Sequence, residues 1–316
     1  MDKQHLEGDR LYLIAENLAQ DFSLFPATAE EVPVRGLQTD AQILRHKLDL
    51  AQLEVDEYIE AVVARAEDPK RTAAPEVIRQ LGQLVSEHSN GPYYDAIVEM
   101  DFDGTRRQVA FLAQDRSVKN GAWMPEHHLA AAELVGRCAF RNLPIVSMMD
   151  TPGADPYADA NRANQAHCIS RLIAEMSNVS VPNVGIIFGL GYSGGAIPLA
   201  ASNMILSVRD GVFSTIQPMG LASIARRMNL SWQECAKYVG LSAQELYEQG
   251  NIDGVIDYAP GEEDGQLENL RMAVIDAITS IESRAKEFVG ENPYILDHYR
   301  SSIKRCLLYT SDAADE

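Results

Sequence analysis

Basic residues are in short supply. The 316-residue chain sets 27 Lys+Arg against 46 Asp+Glu, a formal net charge of −19. Phosphate backbones and anionic lipid surfaces are held by clustered Lys and Arg, so this balance argues against nucleic acid or a membrane surface as partner. Long apolar runs are also missing. Val184 to Leu190 is typical of the longest, far short of the ~20 apolar residues that cross a bilayer. Cysteine is scarce: Cys138, Cys168, Cys235 and Cys306 lie far apart with no CxxC pair. That spacing excludes a zinc ribbon built from this chain, leaves no metal site, and predicts reduced thiols in a cytoplasmic protein. The N-terminal Met1-Asp-Lys-Gln-His-Leu-Glu-Gly-Asp-Arg10 is polar and unlike a signal peptide. What remains is ordinary globular composition, with 46% hydrophobic and 23% charged residues.

Four segments are expected. Residues 1–92 read as a helical N-terminal region, 93–290 as an α/β domain, 291–305 as a C-terminal segment, and 306–316 as translated sequencing adapter. In the first, Ile43 to Ala66 carries apolar residues three and four apart, an amphipathic helix pattern. Pro75 to His88 is a second helix candidate through Val77, Ile78, Leu81 and Leu84. From Asn90-Gly91-Pro92 the pattern changes. Ala96–Phe102 and Arg107–Ala113 flank Asp103-Gly104 as a hairpin. Leu143–Met149 and Val184–Phe188 are continuous apolar runs, which predicts buried strands, with helices over Pro125–Phe140 and Ala163–Asn178. Ser231-x-x-Glu234 and Ser242-x-x-Glu245 read as capping boxes that open two further helices. Gly254–Tyr258 reads as a last strand and Glu263–Val289 as a long helix. Alternating strands and helices predict an α/β core.

The strongest local signal is Gly189-Leu-Gly-Tyr-Ser-Gly-Gly195, between a buried strand and a helix. The N–H groups of Gly194, Gly195 and Ala196 would face outward from a helix start, where a negative oxygen is favoured. No Gly-Lys-Ser/Thr follows, so it is not a P-loop, and the spacing departs from the dinucleotide fingerprint. A serine-hydrolase elbow centred on Ser193 lacks an obvious histidine base. A turn that needs glycine for packing alone is the other reading. Asp150-Thr-Pro-Gly-Ala154 and Gln217-Pro-Met-Gly220 also follow strands, where α/β folds place ligands. Asp150 is expected to cap its own loop rather than act as a base. His127 and His128 are expected on a helix surface, since adjacent helical residues point about 100° apart and rarely share one ion.

The ordered set resembles the alpha subunit of bacterial acetyl-CoA carboxylase carboxyltransferase. It comprises Met124-Pro-Glu126, Asp150-Thr-Pro-Gly-Ala154, Gln165, Arg171, Glu175-Met-Ser177, Gly189 to Ala196, Pro218-x-Gly-x-Ala-Ser223 and Gly250-x-Ile-Asp253. It spans about residues 93 to 260. The resemblance implies a crotonase-like fold, with a ββα superhelix core behind the helical N-terminal region. It implies carboxyl transfer from carboxybiotin on a carrier protein to acetyl-CoA or a related acyl-CoA, giving malonyl-CoA or an analogue. Gly194 and Gly195 would form the backbone hole for the biotin carbonyl. Gly153, Ala154, Gly191, Tyr192, Ser193, Ala196, Met219 and Gly220 would line the biotin pocket. Implied partners are a beta-type carboxyltransferase subunit, which supplies the acyl-CoA side, and the biotin carboxyl carrier protein. A homodimer within a hetero-oligomer is implied too.

Several side chains depart from the family pattern. Leu190 and Tyr192 replace Glu and Gly, Met219 replaces Glu, and Asp155 stands where Tyr is expected. The His-Gln-Lys-Gly segment of the family survives only as Gln114-Asp115-Arg116. These changes mark a divergent member. They keep two alternatives in view: a self-contained acyl-CoA decarboxylase or other crotonase-like enzyme, and a non-catalytic scaffold subunit of a carboxylase complex.

Overall fold

In the computed structural model, residues 3–18, 32–261 and 266–291 are described; the 306–316 tail and nearly all of 291–305 fall outside them. One eight-stranded sheet organises the chain. Its strands are β1 (Gln83–Asn90), β2 (Tyr93–Phe102), β3 (Thr105–Gln114), β4 (Ile145–Thr151), β5 (Asn183–Tyr192), β6 (Met204–Val208), β7 (Val212–Ser214) and β8 (Gly254–Ile256). The order is β1-β2-β3-β4-β5-β6-β8, and β7 pairs with the far end of β5. The first three strands are antiparallel and the rest parallel.

Every residue of β4 and β5 is buried, because helices cover both faces of a parallel sheet. Alternation divides β5 between two cores. Val184, Ile186 and Phe188 join Val146, Met148 and Leu206 under the long Leu267–Glu291 helix. On the other face, Ile187 packs with Ile145, Met149, Leu172, Ala196 and Leu199. Leu172, Ala196 and Leu199 bring in the Gln165–Asn178 and Ser193–Ala200 helices, and Ala131 and Leu134 of the same core bring in Pro125–Arg141. Both capping boxes form, with Ser231 and Ser242 accepting from the N–H groups of Glu234 and Glu245.

Two expectations about the N-terminal region need correction. Pro75 to His88 is not one helix: it is a turn and a half, Ala74–Ile78, followed by β1. At Gly82 a Cβ would lie 2.3 Å from the Glu99 carbonyl oxygen, so the chain runs hard against β2 there. The sheet therefore starts at Gln83, ahead of the residue-93 boundary. Ile43 to Ala66 is also interrupted. The Asp40–Gln52 helix ends at Leu53, and a second helical segment starts at Val55 and passes through a π-turn over Glu60–Ala64. Leu44 and Leu48 are about half exposed, whereas Tyr58, Val62 and Val63 form a third core with Leu190, Tyr192 and Val212. The Tyr58 hydroxyl donates to Glu245 and accepts from the Leu241 N–H. The N-terminal region is thus packed against the end of β5.

Candidate active site

The three glycine-bearing turns meet. The 189–195 turn is a continuation of β5. After Met149 the β4–β5 register slips, so that Thr151 faces Gly191, and Gly191 pairs onward with Phe213 of β7. The helix begins at Ser193 rather than near Ala196. Its first-turn N–H groups, those of Ser193 to Gly195, have no helical carbonyl four residues back to bind. Ser193 itself takes φ +57°, the left-handed region, at the switch from strand to helix.

Three glycines of this turn are dictated by close approach; at Gly191 a Cβ would stand 2.7 Å from the Phe213 ring. A Cβ on Gly195 would stand 2.5 Å from the Gly153 carbonyl carbon and 2.6 Å from the Ala154 nitrogen, so helix start and Asp150 loop touch backbone to backbone. A Cβ on Gly189 would fall 2.3–2.7 Å from the Asp150 carboxyl atoms. Gly194 is different. A Cβ there meets only the Ile169 Cδ1 at 3.3 Å, so the space above Gly194 is open to a ligand. The third turn closes in through Gln217, whose side-chain amide donates to the Pro152 carbonyl.

The expected pocket residues do not all face the same way. Gly153 is buried with φ +137°, and Ala154 beside it is half-buried. Ala196 is buried under the turn. Gly220 lies on the Pro218–Ile224 helix, where Met219 is 67% exposed. Tyr192 points away from the turn. Its side chain is buried in the third core with Tyr58 and Val62, as strand alternation requires of a residue between Gly191 and Ser193. Burial pushes the Tyr192 phenol well above its ordinary pKa. The phenol is neutral at physiological pH.

Asp150 does not cap its own loop. Thr151 does so instead, its hydroxyl donating to the Gly153 carbonyl and accepting from the Gly153 N–H. Asp150 is 3% exposed, and its Oδ1 accepts the Leu190 N–H at 3.0 Å. Burial raises its pKa, and Arg116 at 3.4 Å opposes that rise. Four residues complete the surroundings, Arg116 being the first; of the four only Arg71 stands in no sequence motif. Gln114 is fully buried; its amide donates to the Gly195 carbonyl at 2.8 Å and its carbonyl accepts from the Asp150 N–H at 3.1 Å. Arg71 pairs with Asp210 and donates to the Phe188 carbonyl. Gln217 is the fourth. Gln114-Asp115-Arg116 and Gln217-Pro-Met-Gly220 are the visible traces of this group in the sequence.

His127 and His128 are buried, not on the surface. The His127 Nδ1 accepts from the Met124 N–H at 3.0 Å, and its ring stacks on Tyr93. His128 meets the Trp123 ring edge-on. Burial, with the neighbouring His127 second, pushes His128 down to about 4. An unfolded histidine titrates near 6.5, so the unfolded chain binds the extra proton first. Stability is complete above about pH 6.5 and falls toward pH 4, by about 3 kcal/mol if His128 alone contributes. In thermal melts, His128→Leu is expected to flatten this acid limb; an unchanged limb would assign it to other groups. Among the described residues, no group of three or more His, Cys, Asp or Glu could hold a metal ion. No described helix is long and apolar enough to cross a membrane. A cleft of about 580 Å³ between the Asp40–Gln52 helix and Arg209–Gly211 contains none of the expected site residues.

Residues 113–294 match the family model of acetyl co-enzyme A carboxylase carboxyltransferase-like proteins, more than half of the chain. The acetyl-coenzyme A carboxylase carboxyl transferase subunit alpha of Fusobacterium nucleatum is 34% identical over 187 residues, covering 57% of this chain and 59% of that protein. Its counterpart in Cereibacter sphaeroides is 35% identical over 174 residues, covering 55% and 53%. The chain spans between half and three fifths of these two relatives. Among solved structures, the transcarboxylase 12S hexameric core superposes with a TM-score of 0.57 at 16% identity, covering 81% of this chain and 46% of that one. That similarity identifies the fold as crotonase-like. By its family match, and with its glycine turns brought together on that fold, the chain belongs to the acetyl co-enzyme A carboxylase carboxyltransferase-like family.

Proposed function

We propose that the chain is the alpha-type subunit of a biotin-dependent acyl-CoA carboxyltransferase, with acetyl-CoA as acceptor and malonyl-CoA as product. The observation that carries this reading is the contact of the Ser193–Ala200 helix start with the Gly153–Ala154 backbone. It fixes the N–H groups of Gly194 and Gly195 at the edge of an open space, on a rigid helix start. Carboxybiotin on a carrier protein would supply the carboxyl group, and the N–H groups of Gly194 and Gly195 would hold its ureido oxygen, on which charge develops in transfer. Preorganised N–H donors stabilise such charge without reorganising, and losing one typically costs ~3 kcal/mol. Gly153 and Ala154 wall one side, and Ile169 limits the other. The third turn, tied to Pro152 by Gln217, brings Met219 and Gly220 to the same loop cluster. A beta-type subunit would supply the acyl-CoA side.

The test uses the chain alone and co-expressed with a beta-type subunit. The readout is free-biotin-dependent decarboxylation of malonyl-CoA and methylmalonyl-CoA, the reverse half-reaction. Activity only with the partner is expected. Activity of the chain alone would replace this reading with a self-contained acyl-CoA enzyme. A stable but inactive complex would replace it with a scaffold.

A further inference from the structure

We infer that Arg71, from the N-terminal region, is a positioning residue for the glycine turn: it grips β5 at Phe188 on one side of Gly189 while Asp150 grips it at Leu190 on the other. Gly189 has no side chain to anchor it, and the two residues flanking it are held by opposite charges. The Arg71 guanidinium donates to the Phe188 carbonyl and pairs with Asp210 from the turn between β6 and β7. Its side chain is 6% exposed. Asp150 accepts the Leu190 N–H, and its carboxylate occupies the space a Gly189 Cβ would need.

This arrangement has a purpose that packing alone would not require. Burying a guanidinium costs free energy, and well-packed apolar groups often replace buried pairs without loss. Here the cation bridges the β6–β7 turn, at Asp210, to the interior of β5, at the Phe188 carbonyl just before the β4–β5 register slip. A planar donor fork can span a carboxylate and a carbonyl together; a lysine ammonium is a point charge and holds one of them well. Arg71 therefore sets the height of Gly189 to Gly195 above the sheet, and with it the aim of the first-turn N–H groups. The consequence for catalysis rests on the proposed function; the positioning role itself does not.

The charged groups around Asp150 are Arg116, from the loop after β3, and Arg71. Asp210, Asp68 and the Tyr258 phenol surround Arg71 in turn. Removing Arg71 takes one of two cations from a buried carboxylate, so Asp150 protonates at higher pH. A protonated Asp150 is a weaker acceptor for the Leu190 N–H.

Amide hydrogen exchange on the full chain tests the positioning directly. Arg71→Met is expected to speed exchange in peptides covering 188–196 at least tenfold, and to leave the β2–β3 hairpin within twofold. Arg71→Lys is expected to fall between. In the complex with a beta-type subunit, Arg71→Met should lower kcat at least tenfold with KM for acyl-CoA within twofold. The acid limb of kcat should move to higher pH, and Asp150→Asn added to Arg71→Met should remove it. Uniform loss of protection across the sheet would reduce Arg71 to a structural residue. Should Arg71→Met fail to fold, wild-type exchange and kcat in Arg71→Lys would overturn the inference. An inactive wild-type complex would count against the proposed function alone, because the exchange measurement still decides the role of Arg71.

Discussion

Gly194→Val is expected to abolish carboxyl transfer and leave the melting temperature nearly unchanged, whereas Gly195→Ala is expected to lose both. The two neighbours differ in what a side chain would meet. Above Gly194 stands only the Ile169 Cδ1, the far end of a half-buried side chain that can yield a few tenths of an ångström. A valine there is accommodated by the fold, but it fills the space in front of the first-turn N–H groups. Masking even one donor costs ~3 kcal/mol, on the order of a hundredfold in turnover. At Gly195 a single methyl would strike the Gly153–Ala154 backbone at 2.5–2.6 Å, and backbone cannot yield that distance without moving the Asp150 loop. Overpacking of this kind costs about 1–3 kcal/mol, which lowers the melting temperature of a chain this size by several degrees. Thermal melts together with the biotin-dependent decarboxylation assay separate the cases. Normal turnover by Gly194→Val would remove this turn from the site.

The elements that were legible in the sequence are those whose signal is local. β4 and β5 carry continuous apolar runs because helices cover both their faces. The hairpin at Asp103-Gly104 shows left-handed φ at both residues, +48° and +95°, as its turn chemistry required. The two capping boxes announce their helices within four residues. β1 was illegible for the opposite reason. It is an edge strand, exposed along nearly its whole length, and has no buried face to impose a period of two. Val77, Ile78, Leu81 and Leu84 imitate one helical face, but the helix stops at Ile78 and Leu84 pairs with Val98 of β2. The site divides in the same way. Gly189, Gly191 and Gly195 were readable because close approach demands glycine whatever the partner. Arg71 was not, because its acceptors lie 117 and 139 residues away in sequence. Asp150 was assigned the wrong partner: its position at a strand end was readable, but the register slip that presents Leu190 to it was not. Tyr192 was drawn into the pocket by adjacency to glycines, and strand alternation sends its side chain to the opposite core.

Gln114→Met is expected to lower the melting temperature by roughly 5–15 °C and turnover by tenfold or more, although it keeps the side chain's volume. Gln114 is the only side chain described as bonding both the helix start, at the Gly195 carbonyl, and the end of β4, at the Asp150 N–H. Methionine fills the same space and satisfies neither. A buried polar group left without a partner costs about 1–3 kcal/mol, so two such groups cost about 2–6 kcal/mol. At roughly 2–4 °C per kcal/mol that spans about 4–24 °C, and the expected shift lies inside it. Turnover is expected to fall as well, because the carbonyl released is that of Gly195, whose N–H is proposed to face the substrate. Gln114→Glu discriminates between loss of packing and loss of the bridge. Its carboxylate still accepts the Asp150 N–H but opposes the Gly195 carbonyl, an acceptor facing an acceptor. Protonation restores the donor, so turnover of Gln114→Glu relative to wild type should rise as pH falls. Wild type moves the other way, since acid weakens the hold of Asp150 on Leu190. A relative activity for Gln114→Glu that is flat with pH would show that the bridge to Gly195 does not set the turn, and that Gln114 matters there only for the space it fills.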